Sequence, residues 1–202
     1  MKIQIKLNDT IKFGTDGWRG VIARDFTFAN LRRVAKGLVN FIMEQKRARD
    51  LATTEIVIGY DRRFLSNDFA SEFARVVASG GVRTILSREE VTTPMLSYAA
   101  KKRKAFLGVM ITASHNPPEY NGIKFKSSEG ASAKPELTSL IEKLIPPATI
   151  NSGPGICAGD LNNQPIPADL KKTYISKLRK SVGEFAFSKT AHKNLSRRRI
   201  KI

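Results

Sequence analysis

Leu107-Gly108-Val109-Met110-Ile111-Thr112-Ala113-Ser114-His115-Asn116-Pro117-Pro118-Glu119-Tyr120-Asn121-Gly122-Ile123-Lys124 is the stretch from which the rest of the chain can be read. Its first five residues form an apolar run that suits a buried strand. Asn116-Pro117-Pro118 then forces the backbone to turn directly after the hydroxyl of Ser114. A strand end that holds a serine over a sheet suits displacement chemistry. Once phosphorylated, such a serine carries about −1.5 to −2 charges at neutral pH and needs cationic or metal partners. Lys124 is placed in the sequence to be one of them.

Outward from this stretch, strand and helix patterns alternate. Phe28 to Arg47 carries Leu31, Val34, Ala35, Leu38, Val39 and Ile42 at the spacing of an amphipathic helix. Glu55 to Gly59 reads as a buried strand. Ser66 is a candidate cap for a helix through Phe69, Phe73, Val76 and Val77, ended by Gly80-Gly81. Val82 to Leu86 is a further strand, and Thr93-Pro94 opens a helix that closes on the basic cluster Lys101 to Lys104. Phe106 to Ile111, a short strand at Ile123-Lys124-Phe125 and a helix over Pro135 to Leu144 complete the series. Alternation of this kind predicts an α/β fold, a three-layer α/β/α sandwich with a mixed, largely parallel sheet. Ligands in such sheets gather at the carboxyl ends of the strands, where the Ser114 loop falls. Residues 146–166, rich in Pro, Gly and Asn, read as a linker, and Pro167 to Val182 is helical in pattern.

Composition bounds what the chain can be. Its 202 residues suffice for one domain with a real core and the start of another. Hydrophobic residues at 41% and charged residues at 26% are ordinary for a globular protein. Cys157 is the sole cysteine, so no internal disulfide forms. Neither an apolar run of membrane-spanning length nor a signal peptide is present, and a cytoplasmic location is the expectation. The net charge of +17 would ordinarily suggest a polyanionic partner. From Lys171 onward, however, 11 Lys+Arg face a single acid, so most of the excess lies at the end of the sequence. That region lacks interleaved aromatics, and nucleic acid is not the expected partner.

Three ordered motifs carry a resemblance to a known family. The loop TASHNPPEYNGIK, the segment Phe13-Gly14-Thr15-Asp16-Gly17-Trp18-Arg19-Gly20 and the segment Gly59-Tyr60-Asp61-Arg62-Arg63-Phe64-Leu65-Ser66 together resemble the N-terminal domain of phosphoglucomutases and phosphomannomutases. The resemblance covers roughly residues 10–145, with a weaker echo to about 182. It implies a phosphoserine domain over 1–145, a linker over 146–166, the start of a second domain over 167–182 and a basic, disordered tail over 183–202. Complete relatives interconvert sugar 1-phosphates and 6-phosphates, so hexose phosphates and hexose 1,6-bisphosphate are the implied ligands. Against such relatives the chain looks shortened, with missing domains supplied by a partner chain as one option and a reading-frame disruption after Val182 as another.

The resemblance also implies roles. Local sequence alone leaves Ser114 open to a second reading, a turn serine bonded to its own backbone; the matching family position is the phosphoryl carrier. Lys124, otherwise a solvated lysine, is then a phosphate contact or proton-transfer group, and both it and His115 are candidate catalytic residues. His115 follows Ser114 directly, and on an extended strand neighbouring side chains point to opposite faces. A serine-histidine pair is therefore not expected, and a structural or substrate-orienting role is. Arg19 offers a planar fork to phosphate oxygens beside Gly14, Gly17 and Gly20, whose backbone lets a chain approach an anion. Asn116 and Asn121 are candidate phosphate or substrate contacts, with Thr15 and Asn121 also readable as loop-orienting. Asp61 and Arg63 are expected to pair at a strand end, and Trp18 is as readily core as functional. Mg²⁺ is implied as cofactor, bound to the phosphate on Ser114. The acidic loop of the form Asp-Gly-Asp-x-Asp-Arg that would complete its site is not in this sequence, nor is the Gly-Glu-x-Ser-like sugar loop. Two alternatives to a mutase domain remain open: a catalytically inactive sugar-phosphate-binding fragment, and nucleic-acid binding through the basic tail.

Overall fold

The computed structural model describes residues 11–14, 17–48, 54–148 and 163–182. Apolar runs become strands and amphipathic runs become helices, in the order β1 (Trp18–Val21), α1 (Phe28–Ala48), β2 (Glu55–Tyr60), α2 (Ser66–Ser79), β3 (Arg83–Ser87), α3 (Thr93–Arg103), β4 (Leu107–Ile111), β5 (Tyr120–Ser127), α4 (Pro135–Lys143), β6 (Ile166–Ala168) and α5 (Leu170–Val182). One six-stranded sheet runs β1-β5-β4-β2-β3-β6. β4, β2, β3 and β6 are mutually parallel, while β5 lies antiparallel between β4 and β1. The fold is thus α/β with a mixed, largely parallel sheet, as the alternation of patterns predicts.

Chain direction explains the layers. From β2 the chain passes through α2 to β3 on one side; from β3 it returns through α3 to β4 on the other side of β2. Crossovers of one hand that run in opposite directions place their helices on opposite faces. Accordingly α1, α2 and α4 share one core with Ile56, Ile58, Val109 and Ile123, and α3 shares the other with Val57, Ile85, Met110 and Leu170. On the first face Trp18, Phe26 and Phe69 stack in series, with ring centroids 4.9 and 4.8 Å apart. Trp18 is therefore a core residue, 2% exposed.

Several local readings change. Leu65, not Ser66, stands at the N-cap of α2, in the left-handed region at φ 59°, and Ser66 turns its hydroxyl inward instead. β1 is a strand of four residues whose partner is distant in sequence. β5 spans eight residues, because Ile123 and Phe125 face the first core while Lys124 and Lys126 alternate onto the other face, buried at 7% and 8% exposure. Gly17, at φ +106°, is required by packing rather than by access to an anion: a Cβ there would stand 2.1 Å from the carbonyl oxygen of Ile123.

Residues 167–182, read from the sequence as the start of a second domain, lie against this sheet and α3. β6 extends this sheet by pairing with β3, Leu170 enters the second core, and Tyr174 of α5 meets Tyr98 of α3 at 5.8 Å. The physical reason is that β3 would otherwise be an edge strand with unpaired backbone groups. The start of the proposed linker is likewise tied down, since the carbonyl of Pro146 accepts from Arg33 Nε at 2.8 Å. Residues 149–162 of that linker and the tail 183–202 lie outside the described residues.

Candidate functional site

The reversal of chain direction occurs between β2 and β4, so their carboxyl ends open a crevice between two diverging connections. Both motif segments leave the sheet there. β2 delivers Asp61, Arg62 and Arg63, and β4 delivers Thr112, Ala113 and Ser114. An open cleft of about 560 Å³ lies above them, lined by Asp61, Arg62, Arg63, Phe64, Ser114, Asn116 and Pro118. A larger groove of about 660 Å³ runs between α5, at Lys171, Lys172, Arg179 and Lys180, and the residues just past the ends of β3 and β6, Glu89 and Asp169. It contains no residue of the three sequence motifs, so the chemistry is better sought at the crevice.

Ser114 is exposed and adopts φ 58°, a left-handed conformation uncommon for a residue with a Cβ. Backbone bonds on both sides hold it there. Its N–H donates to Thr112 Oγ1 at 2.9 Å, and its carbonyl accepts from Arg63 Nη2 at 2.8 Å. Thr112 in turn donates its hydroxyl to Asp61 Oδ2 at 2.5 Å. Asp61 Oδ1 accepts from the Arg63 N–H at 3.0 Å and from Ser66 Oγ at 2.9 Å, and Oδ2 lies 3.7 Å from Arg63 Nε. Asp61 and Arg63 thus pair as expected, but their reach into the serine loop exceeds a simple strand-end pair.

The left-handed turn also brings Ser114 and His115 together. Extended backbone would point them apart, whereas here His115 Nδ1 stands 3.4 Å from Ser114 Oγ. Arg19, on β1, donates from Nη1 to Asn116 Oδ1 at 2.8 Å, which brings that guanidinium to the flank of the loop. Lys124 sits one register step below the end of β4, paired with Met110 and buried on the face covered by α3.

Asn121 lies beneath the cleft and is not among the residues that line it. It is wholly buried, and its amide is spent on the scaffold: Nδ2 donates to Ser66 Oγ at 3.0 Å and to the Phe64 carbonyl at 3.2 Å, while Oδ1 accepts from the Gly122 N–H at 2.8 Å. These bonds tie the start of β5 to the turn before α2. Thr112 and Ser66 belong to the same network and are not obvious from sequence, since an isolated hydroxyl beside a strand looks like any turn former. Thr15 lies outside the described residues.

Mg²⁺ finds no complete ligand set here. Among the described residues, no group of three His, Cys, Asp or Glu side chains could hold a metal. Asp61, the carboxylate bonded to the loop, already has both oxygens engaged by Thr112, Ser66 and Arg63. A phosphate on Ser114 would be a single ligand. At the cleft's outer edge Arg62 pairs with Glu90, whose carboxyl is held below the usual range by a backbone hydrogen bond and then by that guanidinium. No described helix is long and apolar enough to cross a membrane.

Fold and crevice define a doubly wound α/β domain with a hydroxyl-bearing loop at its switch point. The sequence profile of the alpha/beta/alpha domain I of phosphoglucomutase/phosphomannomutase matches residues 10–149. Phosphoglucomutase of Staphylococcus epidermidis is 34% identical over 184 residues, covering 88% of this chain and 33% of that protein. The phosphoglucomutase of Staphylococcus saprophyticus is 36% identical over 156 residues, covering 75% and 27%. A solved structure from Thermus thermophilus, provisionally assigned as a phosphomannomutase, superposes with a TM-score of 0.73 at 37% identity, over 85% of this chain and 36% of that one. A Burkholderia thailandensis member of the phosphoglucomutase/phosphomannomutase family, at TM-score 0.62 and 20% identity over 84% and 35%, supports the fold alone. The chain belongs to the phosphoglucomutase/phosphomannomutase family, through its domain I. It spans about a quarter to a third of the length of the curated relatives it matches.

Proposed function

We propose that this chain is the phosphoserine-bearing domain of a phosphohexomutase, with Ser114 as the phosphoryl carrier. In the proposed cycle the bond between phosphorus and Ser114 Oγ breaks as one forms to a free hydroxyl of a hexose monophosphate. The proton that this hydroxyl loses is matched by the one that the departing Ser114 Oγ gains, so a hexose 1,6-bisphosphate and a free serine hydroxyl result. After reorientation the bisphosphate returns its other phosphoryl group to Ser114 Oγ, leaving the isomeric monophosphate. Arg19 and Lys124 supply positive charge to phosphate oxygens, with Lys124 also a candidate for proton transfer. Asn116 places Arg19, and His115 orients the serine or the substrate. Such positioning and charge stabilisation are the main contributions a protein makes to phosphoryl transfer.

The observation that carries this reading is the exposed Ser114 hydroxyl, held on a strained turn at the cleft by bonds to both sides of its own peptide backbone. The serine-bearing domain is proposed over residues 1–145, with a linker over 146–166 and the start of a second domain over 167–182. A cytoplasmic setting belongs to the same proposal, supported by the lone Cys157 and by the metabolic enzymes among the relatives.

Intact-mass and peptide analysis of the purified chain after incubation with hexose 1,6-bisphosphate and Mg²⁺ is the direct test. One added phosphoryl group on Ser114, absent in Ser114→Ala, is expected. Phosphorylation of another residue instead, or hexose 1-phosphate turnover that survives Ser114→Ala, would refute the assignment. A second reading, sugar-phosphate binding without turnover, is favoured by the incomplete metal ligand set among the described residues. It predicts hexose-phosphate affinity with no phosphoryl uptake.

A further inference from the structure

The guanidinium of Arg63 occupies an unusual position for a surface-loop arginine. Its side chain is only 14% exposed. Nη1 donates to the carbonyls of Pro117 at 2.8 Å and Tyr120 at 3.0 Å, and Nη2 to those of Ser114 at 2.8 Å and Asn116 at 2.6 Å. All four acceptors belong to one turn, so the turn wraps around a single planar cation. The other ties from outside the turn are single bonds, from the Ser114 N–H to Thr112, from Arg19 to Asn116 and from the Ile22 N–H to the Glu119 carbonyl. Pro117 and Pro118 have no N–H to donate, and within the turn the backbone bonds run only from Asn116 to Ala113 and from Tyr120 to Pro117. Carbonyl groups that converge at one point repel each other, and a cation at their centre removes the repulsion.

Arg63 is itself fixed from the other side. Its N–H and its Nε both face Asp61, and the turn that follows, through Phe64 and the left-handed Leu65, is fastened by the Ser66 N–H to the Arg63 carbonyl at 3.0 Å. The arginine therefore belongs to β2 and its turn, while everything it holds belongs to the loop after β4. With both Nη groups given to loop carbonyls, it contributes a fixed positive charge beneath Ser114 and not a fork for phosphate oxygens.

We propose that Arg63 is a positioning residue around which the Ser114 loop folds, and that its planar, four-bond geometry rather than its charge alone sets the serine's conformation. Its importance for phosphoryl transfer rests on the reading of Ser114 as carrier; the ordering of the loop does not.

Hydrogen exchange of the full chain tests this, followed at the amides of Ser114, Asn116 and Tyr120, with amides of β2 and β4 as internal controls. Arg63→Ala is expected to speed exchange at the three loop amides by about tenfold or more, the equivalent of one lost hydrogen bond to a charged group, with control amides unchanged. Arg63→Lys is expected to leave the loop nearly as unprotected, because one ammonium cannot reach two pairs of diverging carbonyls. Guanidinium at low, non-denaturing concentration should restore protection to the alanine variant, and methylammonium should not. Unchanged loop exchange in Arg63→Ala, or full protection in Arg63→Lys, would overturn the proposal. Should Arg63→Ala fail to fold, the lysine variant decides by itself: restored protection refutes and lost protection supports. The same measurement on a Ser114→Ala background separates the two claims. Loop loosening there, with no phosphoryl uptake by the parent chain, would leave the positioning role standing and remove the carrier role.

Discussion

Thr112, like Arg63, touches both the acidic hub and the serine backbone, and Thr112→Val probes the site with little change of shape. The substitution removes a hydroxyl that donates to Asp61 Oδ2 at 2.5 Å and accepts from the Ser114 N–H at 2.9 Å. A hydrogen bond to a charged group is worth about 1.5–3 kcal/mol and a neutral one about 0.5–1.5 kcal/mol. Two effects reduce the sum. Ser114 is exposed, so its freed N–H regains water, and Asp61 keeps its bonds from Ser66 and Arg63. The added methyl group at a site only 4% exposed returns up to about 0.8 kcal/mol. The expected loss is therefore about 1.5–3 kcal/mol, read as a lowered urea midpoint at unchanged slope. A double-mutant cycle with Asp61→Asn isolates the shared bond, and a coupling of about 1 kcal/mol or more is expected for residues in direct contact. If Thr112→Val costs less than about 0.5 kcal/mol and the cycle is additive, the network does not restrain the loop.

Two further predictions concern the scaffold beneath the site. Glu72 is drawn from 4.5 to about 2 by hydrogen bonds from Arg75 and then Arg32, so the α1–α2 tie is fully present above pH 4.5 and lost as the pH falls toward 2. Glu72→Gln should cost about 1–2 kcal/mol at neutral pH, after allowance for solvent screening at this part-exposed site, and the gap from the parent should close across that acid window in urea titrations. Gly17→Ala should lower stability by about 2–4 kcal/mol, since a left-handed φ of +106° and a backbone oxygen 2.1 Å from the new Cβ leave no flexible group to yield. A thermal midpoint within a degree or so of the parent would show that β1 and β5 separate more easily than their register implies.

The sheet was legible where the chain is apolar on both faces. Val57-Ile58 and Val109-Met110-Ile111 are fully buried central strands, and such runs announce themselves without any knowledge of their partners. β1 and β5 were less legible for the opposite reason. β1 depends on Trp18 and Gly20 pairing with Ile123 and Asn121, about a hundred residues away, and β5 places two lysines where a buried strand would ordinarily have none. Arg19 meets Asn116 two residues after Ser114, a contact between two of the sequence motifs. The burial of Asn121 and the hydroxyls of Thr112 and Ser66 were hidden, because a polar residue near a turn gives no sign of whether it faces solvent or a buried neighbour. His115 was misjudged on the assumption of extended backbone, which φ 58° at Ser114 removes.

That same φ explains why so much of the network converges on one peptide. A non-glycine residue in a sparsely populated region costs of order 1–3 kcal/mol and persists only where its surroundings over-determine it. At Ser114 the determination comes from two separate directions. Thr112, backed by Asp61 at the end of β2, holds the N–H, and Arg63, backed by the same aspartate, holds the carbonyl. Loss of either bond loosens the left-handed turn from one side, whereas loss of Asp61 weakens both at once. The aspartate is therefore the point at which the site is most sensitive, although it has no place in the phosphoryl-transfer chemistry proposed for the serine. In a reaction that depends chiefly on where the hydroxyl stands, a carboxylate committed wholly to holding that position is as necessary as the group it positions.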